Sequence, residues 1–392
     1  MNWATLESWG WRCLMPALLW GGVAASGVIL VILLSRAVAW RQSHRNAQWT
    51  WTTGGWLWGA LFALLALGGG WSEDGAAWAF SLEVKSSLWA LPLIAAIPGQ
   101  RIHRDFWWSV GWSVLAYLSW RLCRAGWYHL ILEDAGQWRY ARLAGDVHPT
   151  YLSLHATVAW LGCGRQWGQN RWLSWAMTVL VAVNLGLMGS KAGILAAGIV
   201  AVTACALSRF RIRARRGELA QVGVFLGLLL AVSWGASKKR FVELGTAAAA
   251  VQSESAPVQS SSAGRVAVWR ASAELIAGHP FGVGTGDVTE SLVRLYERDG
   301  VAYAQERRLN PHNQWLQFGV AVGWPGILLF TWILGLWGVR AWRSAVRWAL
   351  PCVLLVALHA MVESVLEVQR GVVFILWVFV AMESALREIS NS

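Results

Sequence analysis

The sequence predicts an all-α protein, a polytopic transmembrane helical bundle of about 11–12 helices. Of its 392 residues, 56% are hydrophobic and 14% are charged, whereas soluble domains carry about 25% charged residues. Apolar runs such as "GVVFILWVFVAM" approach the roughly 20 residues that cross a bilayer. Many of the 31 tryptophans lie at the ends of such runs, where amphipathic rings favour the headgroup level. We therefore expect a lipid bilayer around the chain.

The positive charge has an explanation in membrane topology. A net charge of +12 could indicate nucleic-acid binding, but arginine-rich cytoplasmic loops give polytopic proteins the same excess. The segment "SRFRIRARRGE" at 208–218 is the strongest such loop, and we place it in the cytoplasm. We expect no nucleic-acid partner.

Eleven apolar segments are predicted to be membrane helices. Counting from the cytoplasmic loop places the C-terminus in the cytoplasm and the N-terminus outside. The outside loop 122–149 fits less well, because it carries arginines as well as acidic residues. The predicted helices are 14–36, 51–70, 76–98, 106–121, 150–163, 172–189, 192–208, 220–237, 314–338, 349–363 and 370–387.

One large segment between the predicted helices, 238–313, lies outside by this count. Its "AAAAVQSESAPVQSSSAG" stretch is of low complexity and is expected to be mobile. The following "GRVAVWRASAELIAGHP" predicts a short amphipathic helix, with Val266, Trp269, Ala273 and Ile276 on one face. The chain thus divides into N-terminal helices (1–147), central helices with a "SK" turn (148–237), the outer loop (238–313) and C-terminal helices (314–392).

Several charged residues beside the membrane helices are candidates for function, because such groups are costly there. Ser190 and Lys191 lie in a glycine-flanked turn that could bind an anion, or Lys191 could simply reach the headgroups. Arg265 and Arg270 could bind phosphate oxygens or form an ordinary solvated helix face. The glycine-rich "HPFGVGTGD" at 279–287 lacks nucleotide-loop spacing, so we interpret it as a flexible turn over a cavity.

Histidines provide the remaining candidates. His312 precedes an apolar helix and could take a proton from a hydroxyl, or it could be part of a polar helix start capped by Asn313. His359, Glu363 and Glu367 are spaced four apart and would share one helix face, where they could position a substrate or line a water-filled lumen. His148 and His155 could bind zinc, but no third ligand is evident, and the five cysteines are scattered. We expect no metal and no cofactor.

These motifs occur in an order that resembles the O-antigen ligase and polymerase superfamily, bacterial integral-membrane glycosyltransferases of the C-type (GT-C) fold. The order is "SK-x-G", then "GR-x-x-x-W", "HPFGVGTGD", "HN" before "GWPGILLF", and "H-x-x-x-E-S". The resemblance covers roughly 148–387. Family members commonly have about twelve helices with both ends in the cytoplasm, one more helix than counted above.

The resemblance implies an inverting, metal-independent transfer on the periplasmic face of the inner membrane. A saccharide leaves undecaprenyl pyrophosphate and joins an acceptor sugar hydroxyl. His312 matches the histidine proposed to activate the acceptor, and Arg265 matches the loop arginine that holds the pyrophosphate. Lys191 stands where the family more often has arginine. Arg270 would bind the pyrophosphate together with Lys191 and Arg265. Glu363, which falls in the "ES" motif, would support the site with Asn313, His359 and Ser190.

Three functions share these features. The acceptor would be lipid A–core for a ligase of lipopolysaccharide biosynthesis, a growing glycan for a polymerase, or a protein for a third variant. We prefer the ligase because the chain is compact and has no other large outer loop. A non-enzymatic transporter of lipid-linked saccharides would also need cations, but it would not need His312 beside them.

Overall fold

The computed structural model describes residues 3–43, 48–99, 102–166, 170–211, 216–250 and 261–390. Within these ranges the chain forms α-helices and short 3-10 turns without any strand, which confirms the predicted all-α class. The helices are α1 (Trp3–Trp20), α2 (Ala24–Ser43), α3 (Thr53–Leu67), α4 (Gly75–Lys85), α5 (Ser87–Ala96), α6 (Ile102–Leu132), α7 (Tyr140–Ala144), α8 (Pro149–Gln166), α9 (Arg171–Met188), α10 (Lys191–Arg211), α11 (Arg216–Ala250), α12 (Ser261–Gly278), α13 (Val288–Arg298), α14 (Ala302–Glu306), α15 (Gln314–Arg343), α16 (Ala349–Val362) and α17 (Gln369–Ser390).

Among the described residues, six helical runs are long and apolar enough to cross a membrane, and two shorter apolar helices, Lys191–Ala206 and Ala349–Val362, accompany them. The chain is therefore a multi-pass membrane protein, as its composition predicted. The six runs are Ala24–Gln42, Thr53–Trp71, Gly75–Ala96, Arg171–Met188, Gly217–Gly235 and Gln314–Arg343.

The prediction of one helix over 14–36 is wrong, because that stretch contains parts of α1 and α2. The two helices turn at Gly21 and Gly22, where Gly22 has a φ of 38°, a backbone conformation that glycine adopts at no steric cost. Hydropathy does not reveal the turn, since apolar residues continue through it.

The two ends of the chain lie at the same end of the bundle, so the expectation that they lie on opposite sides is wrong. Near the start of α1, Glu7 pairs with Arg36 of α2, whose Nε donates to the Ile97 carbonyl at 2.8 Å. Near the end of α17, Arg387 donates to the Thr50 carbonyl at 3.0 Å, and the Thr50 N–H donates to Ala96 at 2.9 Å. We call this the arginine end.

The loop that fitted the topology poorly is shorter than predicted. Helix α6 continues to Leu132, so only 133–148 connects it to α8. Arg121, buried in α6, donates to the Leu143 carbonyl at 2.7 Å and also to the Arg142 carbonyl, and Tyr117 donates to the Ala144 carbonyl at 2.8 Å. The arginine of α6 therefore holds the returning chain against the bundle.

Helix α17 lies at the centre of the bundle. Its residues from Val372 to Met382 are all buried, which is typical of a helix that is apolar on every side. Trp377 packs edge-on against Phe106 of α6 with ring centroids 4.9 Å apart, and Phe379 packs against Trp58 of α3 at 5.3 Å. These contacts fix α17 between the N-terminal helices and the helices that carry the candidate site.

Helix α15 is interrupted by the segment 279–287. At Val322 and Gly323 the backbone leaves the helical conformation, and Gly323 has a φ of 71°. The freed carbonyls of Val320 and Ala321 accept hydrogen bonds from the N–H groups of Val283 and Gly284, at 2.8 and 3.0 Å. The Trp324 N–H in turn donates to the Pro280 carbonyl at 2.9 Å.

The same segment is attached to the turn between α3 and α4. Thr285 Oγ1 donates to the Leu65 carbonyl at 2.8 Å, and the Gly286 N–H donates to Ser72 Oγ at 3.0 Å. The Asp287 carboxylate accepts the N–H groups of Glu73 and Asp74 at 2.7 and 2.9 Å. A cavity of about 790 Å³ borders the segment 279–287. The backbone of this segment is hydrogen-bonded to α15 on one side and to the turn between α3 and α4 on the other, so the expectation of a flexible turn is wrong.

We expect Gly323→Ala to destabilise the protein. A Cβ at this position would overlap the Pro280 carbonyl oxygen, and the positive φ is unfavourable for alanine, so a loss of about 1–3 kcal/mol follows. Thermal unfolding in detergent measures it. Gly335→Ala in the same helix is the matched control, because a Cβ added there would have no neighbouring atom within 4 Å. Equal melting temperatures for both variants would contradict the account.

The face that the outer-loop helix buries against the protein differs from the apolar face predicted from the sequence. Helix α12 buries Val268, Ala271, Ser272 and Leu275, whereas Trp269 is 36% exposed and only Ile276 of the predicted face is buried. Helix α13 is amphipathic as expected of this segment, with Val288, Leu292 and Tyr296 buried at intervals of four. Most of the stretch expected to be mobile, 251–260 within 247–264, lies outside the described residues.

Candidate active site

All of the candidate residues except Arg270 lie at the end of the bundle opposite the arginine end, which we call the site end. Here α15 begins, α16 ends, and the turn 363–368 leads into α17. The first turns of α8 lie beside that turn, since Tyr151 donates from its hydroxyl to the Ser364 carbonyl at 3.2 Å. The turn between α9 and α10, and helix α12 of the outer segment, complete the region.

His312 pairs with Glu363. Its Nδ1 lies 2.9 Å from Glu363 Oε1, and the backbone at His312 has a φ of 46°. Its N–H donates to Asn310 Oδ1 at 3.0 Å, which supports this strained conformation. Residues held in rare backbone conformations often occur at functional sites. The side chain of His312 is 25% exposed and that of Glu363 is 8% exposed, so the imidazole reaches water while its partner does not.

The environment of Glu363 favours its ionised form. Burial alone would raise the pKa of this carboxyl, but the hydrogen bond and charge of His312, with smaller contributions from His148 and Arg265, hold the pKa below its usual value. An ionised Glu363 accepts the Nδ1–H of His312, which leaves Nε2 of the neutral ring as a proton acceptor. The pair therefore has the arrangement of a general base and its orienting carboxylate.

Asn313 caps α15, as the sequence predicted for a polar helix start. Its Oδ1 accepts the N–H groups of Trp315 and Leu316 at 2.9 and 3.1 Å. Its Nδ2 donates to the Met361 carbonyl at 3.1 Å, so the same side chain joins the start of α15 to the end of α16. The cap fixes the chain directly after His312.

His359, Glu363 and Glu367 do not share a helix face. Helix α16 ends at Val362, and Glu363 is extended, with φ −153° and ψ 146°. His359 is fully buried; its Nδ1 donates to the Leu355 carbonyl at 2.9 Å, and its Nε2 lies 3.4 Å from Ser153 Oγ. The structure places His359 between α16 and α8.

The "SK" turn lies beside the same helices. Gly189 adopts the left-handed conformation that ends α9, and Ser190 Oγ accepts the Gly193 N–H at 3.3 Å. Gly193 packs so closely on Ser153 of α8 that no Cβ would fit. Lys191, the first residue of α10, is partly exposed. The turn thus presents a lysine next to the helix that contacts His359.

Arg265 lies close enough to the His312–Glu363 pair for its charge to act on Glu363 and on His148. It is partly buried, and among the described residues it makes no hydrogen bond or ion pair. Trp269, one turn further along α12, donates from Nε1 to the Pro311 carbonyl at 2.9 Å. This contact holds the arginine-bearing helix against the residue that precedes His312.

Arg270 is not brought to this cluster. Five residues correspond to about 140° around a helix, so Arg270 points away from the side of α12 that carries Arg265. Its side chain is exposed. The structure therefore does not place Arg270 with the other residues that were predicted to bind the pyrophosphate.

His148 belongs to the cluster, although the sequence suggested it only as a zinc ligand. Its ring lies at the surface just before α8 and its Nδ1 accepts the Thr150 N–H at 3.4 Å. Partial burial lowers its pKa, and the charges of His312 and Arg265 lower it further, against the opposing effect of Glu363. Among the residues that the structure describes, no group of three or more His, Cys, Asp or Glu could hold a metal ion.

We expect Glu363→Gln to reduce activity and to change the acid stability of the protein. Glutamine holds the imidazole without a charge, so kcat should fall roughly 10–100-fold. Because the pKa of Glu363 is lower in the folded state, its contribution to stability is present above its ordinary pKa of 4.5 and is lost as the pH falls through the lower folded-state value. The free energy of unfolding, measured from pH 7 to pH 3, should therefore decrease less for Glu363→Gln than for the wild-type protein.

The matched control for this substitution is Glu297→Gln in α13, whose exposed carboxylate lies outside the cluster. It should retain both the activity and the acid dependence of the wild-type protein. A Glu363→Gln variant that behaves like this control would contradict the role assigned to the pair.

Comparison with known proteins identifies part of the chain. Residues 176–331 match the family model described as O-antigen ligase, which is 156 of the 392 residues and includes Lys191, Arg265 and His312. The match confirms the resemblance to the O-antigen ligase and polymerase superfamily. Glu363 and His148 lie outside the matched segment. A search of curated proteins found no significant match.

Proposed function

We propose that this protein transfers a saccharide from undecaprenyl pyrophosphate to an acceptor sugar hydroxyl, as an O-antigen ligase that uses lipid A–core as acceptor. The observation that carries the proposal is the His312–Glu363 pair, with a contact of 2.9 Å, beside Arg265 at the mouth of a membrane bundle. A base that reaches water and a cation beside it are the two groups that this transfer requires. The O-antigen ligase match over 176–331 supports the same reaction class.

In this proposal His312 Nε2 accepts the proton of the acceptor hydroxyl. The acceptor oxygen forms a bond to the anomeric carbon as the bond from that carbon to the pyrophosphate oxygen breaks, and the electron pair leaves with the undecaprenyl pyrophosphate. A single displacement from the opposite face inverts the anomeric configuration. Glu363 stabilises the imidazolium that forms, and water later removes its proton.

Cations of the chain would stabilise the leaving group. Negative charge increases on the pyrophosphate as the glycosidic bond breaks, and fixed cations in a partly dry site stabilise such charge strongly. Arg265 suits two phosphate oxygens at once, whereas Lys191 offers a single point charge. Arginine and lysine can thus neutralise the pyrophosphate in a transfer that proceeds without a metal.

The proposed location is the periplasmic face of the bacterial inner membrane. Arginines cluster at the arginine end, where Arg36, Arg340 and Arg387 lie with acidic partners or backbone carbonyls. Positively charged loops favour the cytoplasm, which would put the site end in the periplasm. The donor lipid would then approach from the membrane and the acceptor from the outer leaflet.

The lipopolysaccharide of a host strain that lacks the protein tests the proposal. Loss of every O-antigen-bearing band, with bare core left and the bands restored by the wild-type chain, is the expected result. Core capped by a single repeat would instead indicate a polymerase. An unchanged pattern for lipopolysaccharide and for other surface glycans would contradict the glycosyltransferase and favour a transporter of lipid-linked saccharides.

A further inference from the structure

Lys85 is a buried cation within a membrane-spanning run. It ends α4 inside the apolar run Gly75–Ala96 and is 2% exposed. Its Nζ donates to Ser81 Oγ and to Glu367 Oε2, both at 2.7 Å. A charged side chain in this position is costly unless it is paired, so the Glu367 contact demands an explanation. Neither residue has a place in the transfer chemistry described above.

Glu367 connects this cation to the start of α15. Its second oxygen, Oε1, accepts from Gln314 Nε2 at 3.4 Å. Gln314 is fully buried and its Oε1 accepts the Leu366 N–H at 2.7 Å. Because Gln314 follows Asn313 and His312 directly, Lys85 is linked by side chains to the segment that carries the proposed base.

The same contacts fix the turn that carries Glu363. Within residues 363–367 the turn makes two backbone hydrogen bonds, from the Val365 N–H to the Glu363 carbonyl at 3.0 Å and from the Glu367 N–H to the Ser364 carbonyl at 3.1 Å. The Ser364 N–H also donates to Glu363 Oε1 at 3.3 Å. Its other attachments are Tyr151 on one side and the Gln314 and Lys85 contacts on the other. The direction of the Glu363 carboxylate therefore depends on how the turn is held.

We propose that Lys85 and Glu367 are positioning residues for catalysis: their ion pair holds the 363–367 turn so that Glu363 remains in contact with His312. This inference rests on the proposed function. It gives the N-terminal helices, which lie outside the family match, a part in the reaction. A displacement of about 1 Å in such a contact can lower a rate roughly 100-fold.

Stability and catalysis can be separated here because of how buried ion pairs behave. Removing one partner leaves an unpaired buried charge and is strongly destabilising, whereas replacing both partners by neutral groups is often neutral or stabilising. A pair that serves only stability should therefore be dispensable when both charges are removed. A pair that positions Glu363 should remain necessary for activity even when both charges are removed.

The experiment compares Lys85→Met, Glu367→Gln and the double variant in thermal unfolding and in glycan transfer from a synthetic undecaprenyl-pyrophosphate saccharide. We expect each single variant to melt at lower temperature and the double variant to recover most of the loss. The kcat of the double variant should stay roughly 10–100-fold below wild type, with KM for the donor unchanged, because the donor contacts are intact. Gln314→Met, which alters no charge, should show the same fall in kcat.

The control is the double variant Arg12→Met, Asp105→Asn, which removes a 2.8 Å ion pair at the arginine end and should transfer at the wild-type rate. Wild-type kcat in the Lys85/Glu367 double variant, or in Gln314→Met, would overturn the inference while leaving the proposed function intact. Absence of transfer by the wild-type chain itself would overturn both, which separates the two failures.

Discussion

A His312→Asn variant is expected to lose glycan transfer while remaining folded and inserted in the membrane. Asparagine tolerates the positive φ of 46° at this position, so the backbone is preserved and only the base is removed. General-base assistance contributes about 10²–10⁴-fold. We therefore expect a loss of about 100- to 10,000-fold, seen as disappearance of the O-antigen bands of complemented cells. His312→Ala should behave alike.

His129→Ala at the same end of the bundle is the matched control, because His129 contacts Trp138 rather than the cluster. It should restore the bands fully. Membrane abundance of each variant, determined by immunoblot, distinguishes lost chemistry from lost protein. Full bands from His312→Asn would remove this residue from the reaction.

Replacing Arg265 with alanine is expected to have the second-largest effect. Its guanidinium has no ion-pair partner among the described residues, so the cation is available for the pyrophosphate without breaking a contact inside the protein. Loss of one fixed group that stabilises developing charge costs roughly 10²–10³-fold in rate. The rate from a synthetic donor measures the effect, and Arg265→Lys should recover part of it, since the charge is kept while the second hydrogen bond is lost.

Arg294→Ala provides the control for charge alone. Arg294 lies on α13 with 73% of its side chain exposed, so its removal lowers the net charge equally without entering the cluster. It should transfer at the wild-type rate. Equal losses for the Arg265 and Arg294 variants would indicate a general electrostatic effect and not a pyrophosphate site.

The cap at Asn313 could be predicted because its signal is local. A polar cap before a long apolar run requires only neighbouring residues, and Asn313 forms the cap that its position predicts. The partner of His312 lies 51 positions away, beyond any local pattern. The spacing of His359, Glu363 and Glu367 predicted a shared face, but α16 ends before Glu363, and this break is what turns the carboxylate toward the imidazole.

The same contrast between local signals and contacts of distant residues applies to the fold. Composition predicted a membrane bundle, since apolar content does not depend on tertiary contacts. The turn at Gly21 and Gly22 escaped the hydropathy pattern because both flanks are apolar. The pairing of Lys85 could not be predicted from local sequence, since its partner Glu367 is 282 positions away. The attachment of 279–287 could not be predicted, because it depends on the break in α15 at Gly323. A glycine in an apolar run does not by itself indicate such a break.

The most direct test of the central claim is the initial rate of transfer by the purified chain in liposomes, from a synthetic undecaprenyl-pyrophosphate saccharide to lipid A–core. We predict product from the wild-type protein and a rate about 100- to 10,000-fold lower from His312→Asn, consistent with general-base catalysis. Equal rates for the two proteins would contradict the account, because the group at the mouth of α15 would then not be the base.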